Sequence, residues 1–473
     1  MKWKVRDLME ATGGKLIRGD TQMECSGIST DSRKIKKGAL FIPLKGDRFD
    51  GHDFIPQVLK KGTAGVMVKK GFPLSRISGQ KNRVFVIEVS DCLDALGDLA
   101  HFLRVKSPVK VVAVTGSNGK TSTKEMIALI LQERYSRVLK NEGNLNNLIG
   151  LPLTLLRLSP RDEVAVLEMG MNRPGEIKRL SEIARPDIGV ITNIGPAHLE
   201  GLGSLARIQK AKGELFGALT EGDCALINYD DPLVRELALR CRAKKISFGL
   251  HGDSDVRAED VIFLKDGRIC FRLITKGGEV RVTIPAYGLH QVHNALAASA
   301  AGIALGVDLR KIAQGLRNFR PLQGRSQVIT LKNGIRVIDE TYNANPRSME
   351  IALKTLNALK GKGRGMAVLG DMRELGDASE FWHREIGRFA GGSGTDYLAV
   401  LGQFAPFVAE GAGSAGLTRE RIFIGKDHKD IALHLKGLLK RGDWILIKGS
   451  RGMQMEKVLS RIELGEGSKR HAL

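Results

Sequence analysis

The sequence predicts an α/β protein of three domains, divided near residues 88 and 321. Three observations predict it. Short β-branched apolar runs alternate with helix-period segments along most of the 473 residues, the pattern of parallel sheets covered by helices. One of these runs, 111–114, leads straight into a glycine-bearing loop and then a helix-like stretch, 124–132. The alternation begins afresh near Leu322, so a second, doubly wound unit follows the first.

Taken in order, the runs 39–44, 64–68 and 84–87 read as strands, with a helix-like segment, 54–61, between the first two. Residues 1–88 thus form a small α/β domain. Residues 89–321 open with a helical stretch, 90–105. Strand-like runs follow at 111–114, 164–167, 188–191 and 224–227, separated by helical patterns such as 175–184. The segment 255–285 reads as an attached β-meander and 294–305 as a helix. This alternation implies a mostly parallel central sheet. Residues 322–473 alternate again, with strands at 335–338, 365–369, 397–400, 422–424 and 444–447. No glycine fingerprint for a dinucleotide accompanies them. The tail from Gly465 reads as frayed.

The loop after the first central strand carries chemistry. It reads Thr115-Gly116-Ser117-Asn118-Gly119-Lys120-Thr121-Ser122. Glycines let backbone N–H groups converge on an anion, and the following helix adds its positive end. Lys120 would reach the terminal phosphates of a nucleotide, and the Thr121 hydroxyl would hold Mg²⁺. The fuller nucleotide-loop pattern has a glycine five residues before Gly119, where this chain has Val114. What stands here is a shorter variant, whose alternative reading is a glycine turn with a surface lysine. Such a loop binds ATP or GTP; with ATP as the nucleotide, Gly116, Ser117, Asn118, Gly119, Lys120, Thr121 and Ser122 are the expected ATP-binding residues.

Composition narrows the class. The net charge is +22, with Lys and Arg spread along the whole chain, and aromatics make up 5% of residues. Phosphate neutralisation needs basic residues, but base-stacking platforms are sparse. A basic solvated surface is therefore expected, with no nucleic-acid partner. The longest apolar stretch, 295–307, is too short to cross a bilayer, and the first residues lead into no apolar signal segment. A cytoplasmic protein without a membrane segment is expected. The five cysteines are scattered with no C-x-x-C pair, which suggests neither zinc nor disulfides.

Three further positions lie at the carboxyl ends of strands, where open α/β sheets bind ligands. Glu168 closes the run 164–167. One strand from the phosphate loop, its carboxylate can hold Mg²⁺ or cap a helix. His198, in Asn193-Ile194-Gly195-Pro196-Ala197-His198, is a metal ligand, a charge stabiliser or a polar residue satisfied in its loop. Asp339 leads into Glu340-Thr341-Tyr342-Asn343-Ala344-Asn345-Pro346, a loop that can contact nucleotide or substrate, or form a capped turn. Lys212, in Gln209-Lys210-Ala211-Lys212, reads by itself as a solvated surface lysine.

Together these motifs resemble the Mur ligase family, the ATP-dependent amino-acid and peptide ligases of bacterial cell-wall synthesis, over nearly the whole chain. Thr30-Asp31-Ser32-Arg33, Gly38-Ala39-Leu40-Phe41 and Asp50-Gly51-His52 resemble its uridine-nucleotide-binding domain. The phosphate loop, Gly143-Asn144-Leu145-Asn146-Asn147, Glu168, His198 and Ala211-Lys212-Gly213-Glu214 resemble its central domain. Tyr342 to Pro346, Gly370-Asp371-Met372-Arg373-Glu374-Leu375-Gly376 and Lys448-Gly449-Ser450-Arg451-Gly452 resemble the members that add a dipeptide. Asn-Ala-Asn-Pro-Arg stands where tripeptide-forming members carry D-N-P-R.

The resemblance implies a UDP-substrate-binding domain over 1–88, an ATP-binding P-loop domain over 89–321 and a Rossmann-like ligase domain over 322–473. It implies two Mg²⁺ sites held by Thr121, Glu168, His198 and a carbamylated Lys212. Lys120, Glu168, His198 and Lys212 would be catalytic. Asn294, Arg325 and Asp339 would contact ATP. Ser32, Arg33, Asn146, Asn147, Asn343 and Asn345 would contact substrate. UDP-N-acetylmuramoyl-tripeptide and D-alanyl-D-alanine would be the substrates of a monomer whose domains close around them. Three alternatives stay open. One is a family member adding a single amino acid. Another is a folate polyglutamylation enzyme, which would lack the uridine-type domain. The third is a nucleotide-regulated nucleic-acid-binding protein, which gives no account of residues 1–88.

Overall fold

The computed structural model describes residues 2–46, 49–77, 84–264, 267–331 and 333–463. The tail expected to fray from Gly465 lies outside the described residues. Three large sheets carry the chain. The first has five strands, in the order Lys15–Arg18, Phe85–Val89, Gly65–Lys69, Leu40–Phe41 and Ile28–Ser29. It is parallel apart from the first pair. The run expected as a strand over 39–44 is one only over Leu40–Phe41. Pro43 lacks the N–H that a longer ladder would need.

The central sheet has nine strands. Their order is Val138–Lys140, Val164–Glu168, Lys110–Thr115, Ile188–Ile191, Cys224–Asn228, Lys244–Gly249, Val256–Phe263, Ile269–Thr275 and Gly278–Ile284. Pairing is parallel as far as Val256–Phe263 and antiparallel through the last two strands, the expected meander. The chain leaves Lys110–Thr115 for one edge of the sheet, returns to its flank with Val164–Glu168, and continues on the other side. Such a reversal opens a crevice beyond the carboxyl ends of the strands. The phosphate loop lies at that point.

Helices cover both faces. Cys92–Val105 is started by Asp91, whose carboxylate accepts the N–H groups of Leu93 and Asp94 at 2.7 and 3.3 Å. It packs against Val5–Thr12 on one side and against Gly150–Leu155 and Glu176–Ala184 on the other. One apolar cluster therefore runs from Trp3 and Leu8 through Leu96 and Leu99 to Val111 and Leu167, joining the first sheet to the second. Lys120–Gln132 and Leu289–Ala304 cover the opposite central face. The latter helix begins five residues before the expected start at 294. His290, Gln291 and His293 in its first turns hide the apolar period.

The third sheet has six strands, in the order Gln327–Thr330, Arg336–Glu340, Trp444–Lys448, Gly365–Gly370, Tyr397–Leu401 and Ile422–Gly425. Its first pair is antiparallel and the rest parallel. Pro346–Lys360, Ser379–Gly392 and Ala405–Ser414 cover one face; His428–Leu438 and Glu456–Glu463 cover the other. Leu199 of the central domain packs against both the first cluster and this domain's core. Among the described residues, no helix is long and apolar enough to cross a membrane.

Candidate active site

The helix Lys120–Gln132 has no side-chain cap. Gly119, with φ 82°, stands where a capping residue would, so the first-turn N–H groups are left to an anion. A Cβ added there would lie 2.3 Å from Asn294 Oδ1; one added at Gly116 (φ 146°) would lie 1.9 Å from Thr192 Oγ1. Thr192 is not free to swing aside, because its hydroxyl donates to the Asn118 carbonyl at 2.6 Å. Gly116→Ala is therefore expected to cost about 1–3 kcal/mol of stability through backbone strain. It should also abolish the gain in melting temperature that ADP confers, which thermal melts with and without ADP will measure. The loop after Ile188–Ile191 clamps the turn from outside. Asn193 accepts from the Asn118 N–H and donates to its carbonyl, both at 3.0 Å. Ser117 Oγ exchanges hydrogen bonds with the Gly195 backbone at 2.9 Å.

Lys120 Nζ donates to the carbonyls of Gly116 and Ser117 at 2.7 and 3.3 Å. Burial lowers its pKa; the charge of Glu168 raises it, Arg325 lowers it and Glu374 raises it. These four charges share one site. Thr121 Oγ1 donates to Glu168 Oε2, and Asn146 Nδ2 to Glu168 Oε1, each at 2.8 Å. Glu168 is fixed from behind, since its N–H donates to Asn141 Oδ1 and its carbonyl accepts from Asn141 Nδ2, both at 2.9 Å. The buried Lys124 in turn donates to the Asn141 carbonyl at 2.7 Å. Glu168 thus ends a strand, beside the phosphate loop, with its carboxylate held between a hydroxyl and an amide. A hydroxyl and a carboxylate are hard oxygen donors of the kind Mg²⁺ takes alongside phosphate oxygens and water.

Lys212, which reads as a surface lysine when taken alone, is 1% exposed. It sits on Leu205–Gly217, a helix whose Ser204 cap accepts from the Arg207 N–H. Among the described residues, no hydrogen bond or ion pair reaches its ammonium. Burial pushes its pKa well below 10.5, and the charge of Lys120 pushes the same way. Its neighbour Glu214 has a separate task, accepting from Gly175 and Lys178 N–H at 2.9 Å to cap Glu176–Ala184. His198 lies before the short helix Leu199–Leu202, in the left-handed region with φ 59°. Its Nδ1 is 2.6 Å from Glu374 Oε2, a contact from the C-terminal domain.

Other predicted positions are placed as follows. Asn345 caps Pro346–Lys360 and donates to Asn118 Oδ1 at 2.8 Å, touching the phosphate loop. Asn294 accepts from Thr123 Oγ1 at 3.3 Å beside Gly119. Ser122 is buried in the first turn of its helix. The Arg325 guanidinium lies 3.8 Å from the Tyr342 ring centroid, a cation–π contact. Asp339 is buried and ties the bend at Gly324 to the turn that follows it, accepting from Gly324 N–H and Thr341 N–H at 3.1 Å and from Thr341 Oγ1 at 2.7 Å. Asn147 Oδ1 accepts from Ile149 and Gly150 N–H at the start of Gly150–Leu155. Asn343 is exposed and lends its carbonyl to Lys448. Ser32 and Arg33 stand in the first domain. There Arg33 pairs with Asp31, and Lys61 Nζ donates to the carbonyls of Ser32 and Arg33.

Sequence reasoning missed Glu374 as a site residue, and it missed a network at the same domain boundary. His290 Nε2 is 3.1 Å from Ser326 Oγ, which donates to Glu340; Glu340 pairs with Lys448 at 3.1 Å. Burial, chiefly, holds the His290 pKa down at about 4, against 6.5 when free. Between those values the unfolded chain binds a proton that the folded chain refuses. Stability from this group is therefore full above pH 6.5 and falls as the pH drops towards 4, by up to about 3 kcal/mol. Urea titrations from pH 4 to 8 should show a shallower acid loss in His290→Asn than in the parent.

Family profiles match in the same three blocks. Residues 24–104 match the profile described as Mur ligase family, catalytic domain, and 114–302 the Mur ligase middle domain. Residues 324–451 match the Mur ligase glutamate ligase domain. The UDP-N-acetylmuramoyl-tripeptide–D-alanyl-D-alanine ligase of Bacillus subtilis is 39% identical, covering 97% of this chain and 98% of its own. The chain belongs to the Mur ligase family. Among solved Mur ligases, MurF from Acinetobacter baumannii aligns with a TM-score of 0.90 at 34% identity, covering 98% of this chain and 99% of its own. MurF ligase from Thermotoga maritima in complex with ADP aligns at 0.81 and 31% identity, covering 93% and 97%.

Proposed function

We infer that this Mur ligase joins D-alanyl-D-alanine to UDP-N-acetylmuramoyl-tripeptide with ATP, a step of peptidoglycan precursor synthesis. The observation that carries the reading is the grouping at one sheet edge of Lys120, the Thr121–Glu168 pair, the buried Lys212 and His198. Likeness over the full length to ligases of that name supports the substrates.

A carboxylate does not form an amide with an amine in water without activation. ATP activates it by phosphorylation: a carboxylate oxygen bonds to the γ-phosphorus, ADP leaves, and an acyl phosphate remains. The dipeptide amine then attacks the acyl carbon and phosphate departs. Both partners of the first step are anions, so charge neutralisation is the main demand on the protein. Lys120 supplies a positive charge at the β- and γ-phosphates, and the loop N–H groups orient them. Thr121 and Glu168 would hold one Mg²⁺, and His198 with a carbamylated Lys212 the second. When bound, these ions mask phosphate and carboxylate charge. A carbamate needs a neutral amine, which the burial of Lys212 provides. Asn294 and Arg325 would flank the nucleotide, Asn146, Asn147, Asn343 and Asn345 the peptide, and Ser32 and Arg33 the uridine end. Asp339 would contact the nucleotide as well, and it holds the bend next to Arg325 through the Gly324 N–H. The domain boundaries near 88 and 321 are part of this reading, as are a cytoplasmic setting and a monomer.

Phosphate release from ATP tests it. Release should require both UDP-N-acetylmuramoyl-tripeptide and D-alanyl-D-alanine; release driven by a single free amino acid would assign the chain to another member of the family.

A further inference from the structure

We propose that Glu374, from the C-terminal domain, is a positioning residue for this reaction: it orients the His198 imidazole, so that metal binding at His198 and Lys212 depends on how the C-terminal domain is seated. This role rests on the two-metal reading of His198 and Lys212.

Two contacts, an ion pair and a backbone hydrogen bond, tie residue 374 to the turn at 198–200. Its side-chain Oε2 meets His198 Nδ1 at 2.6 Å, and its carbonyl accepts from the Glu200 N–H at 3.0 Å. His198 and Glu374 are both non-glycine residues in the left-handed region, at φ 59° and 65°. Such conformations persist where the surroundings over-determine them. Here they meet across a domain boundary, with Leu199 between them packed into both cores.

The loop behind Glu374 is pinned to its own domain. Met372 N–H donates to His383 Nε2 at 2.9 Å and Arg373 N–H to Ser450 Oγ at 2.8 Å. Asp371 accepts from Gln403 and Phe404 N–H at 2.8 and 3.1 Å. The backbone that carries Glu374 is therefore fixed to its own domain. Among the described residues, no other side chain makes an ion-pair or hydrogen-bond contact with the His198 ring. A carboxylate on Nδ1 keeps the proton there and leaves the Nε2 lone pair for a metal. The Glu374 side chain is 52% exposed, so the pair adds little to folding stability; its effect is orientation.

Mn²⁺ counted by electron paramagnetic resonance, on the full chain with a nonhydrolysable ATP analogue, tests this. The wild type should bind two ions. Glu374→Ala should keep one at wild-type affinity and weaken the other about 10–100-fold, with analogue affinity unchanged and kcat reduced more than KM for ATP. Glu374→Gln, whose amide oxygen still accepts from Nδ1, should recover most of the loss. Two equally tight ions in Glu374→Ala would overturn the proposal while leaving the two-metal reading intact. A single ion in the wild type would overturn both.

Discussion

Lys120→Ala should lower kcat/KM for ATP by a factor on the order of 10³ or more, as measured by phosphate release. Two effects add. The first is direct, because the ammonium lies beside the loop carbonyls and shares its site with Glu168, Arg325 and Glu374. Without it, two anions must approach with less compensating charge. The second acts through Lys212. The charge of Lys120 is one of the causes that depress the Lys212 pKa, so removing it lets the Lys212 amine hold its proton more tightly. A protonated amine cannot become a carbamate. Among the described residues the Lys120 ammonium hydrogen-bonds only to its own loop, so the melting temperature of the variant should stay near that of the parent. A large drop would mean that lost folding, rather than lost charge, explains the inactivity.

Lys212→Ala should be similarly inactive, and added small carboxylates such as formate or acetate should restore part of the activity. The side chain is almost fully buried and, among the described residues, its ammonium has no partner, an arrangement unfavourable for a permanent charge. A carbamate makes chemical sense of it: the modification replaces a cation by an anion that can share a metal with His198. Truncation leaves a space next to the proposed metal position, which a small carboxylate can fill. Lys212→Arg, permanently charged and unable to be carbamylated, should show no activity and no rescue. Failure of every small carboxylate to rescue a folded Lys212→Ala protein would remove the carbamate from the account.

The parts of the site legible in the sequence were those contiguous along it. Strand, glycine turn, Lys120 and helix follow one another, so the phosphate cradle needed no tertiary information. Glu168 was legible because strand period alone puts it at a carboxyl end beside that cradle. Lys212 was not. Its neighbours Gln209 and Lys210 read as a solvated face, and only packing of the helix shows that one lysine turns inward. The family resemblance, not the residue pattern, pointed to it. Glu374 could not be inferred as a partner of His198, since the contact joins two loops far apart in sequence across two domains. The 370–376 motif contains Glu374, but no residue pattern signals its left-handed backbone. Among the elements, Lys244–Gly249 and Gln327–Thr330 escaped because half-exposed polar residues dilute their apolar period. The two-residue strands Trp3–Lys4, Glu24–Cys25 and Ile28–Ser29 are too short to have a period at all.

The central claim is that this cluster lets one anion be phosphorylated by another. Oxygen transfer measures that step itself. With the terminal carboxylate of UDP-N-acetylmuramoyl-tripeptide labelled with ¹⁸O, turnover with ATP and D-alanyl-D-alanine should yield inorganic phosphate carrying one ¹⁸O atom, detectable by mass spectrometry. Phosphate free of label, with product formed at the normal rate, would contradict an acyl phosphate and with it the catalytic roles of Lys120, Glu168, His198 and Lys212.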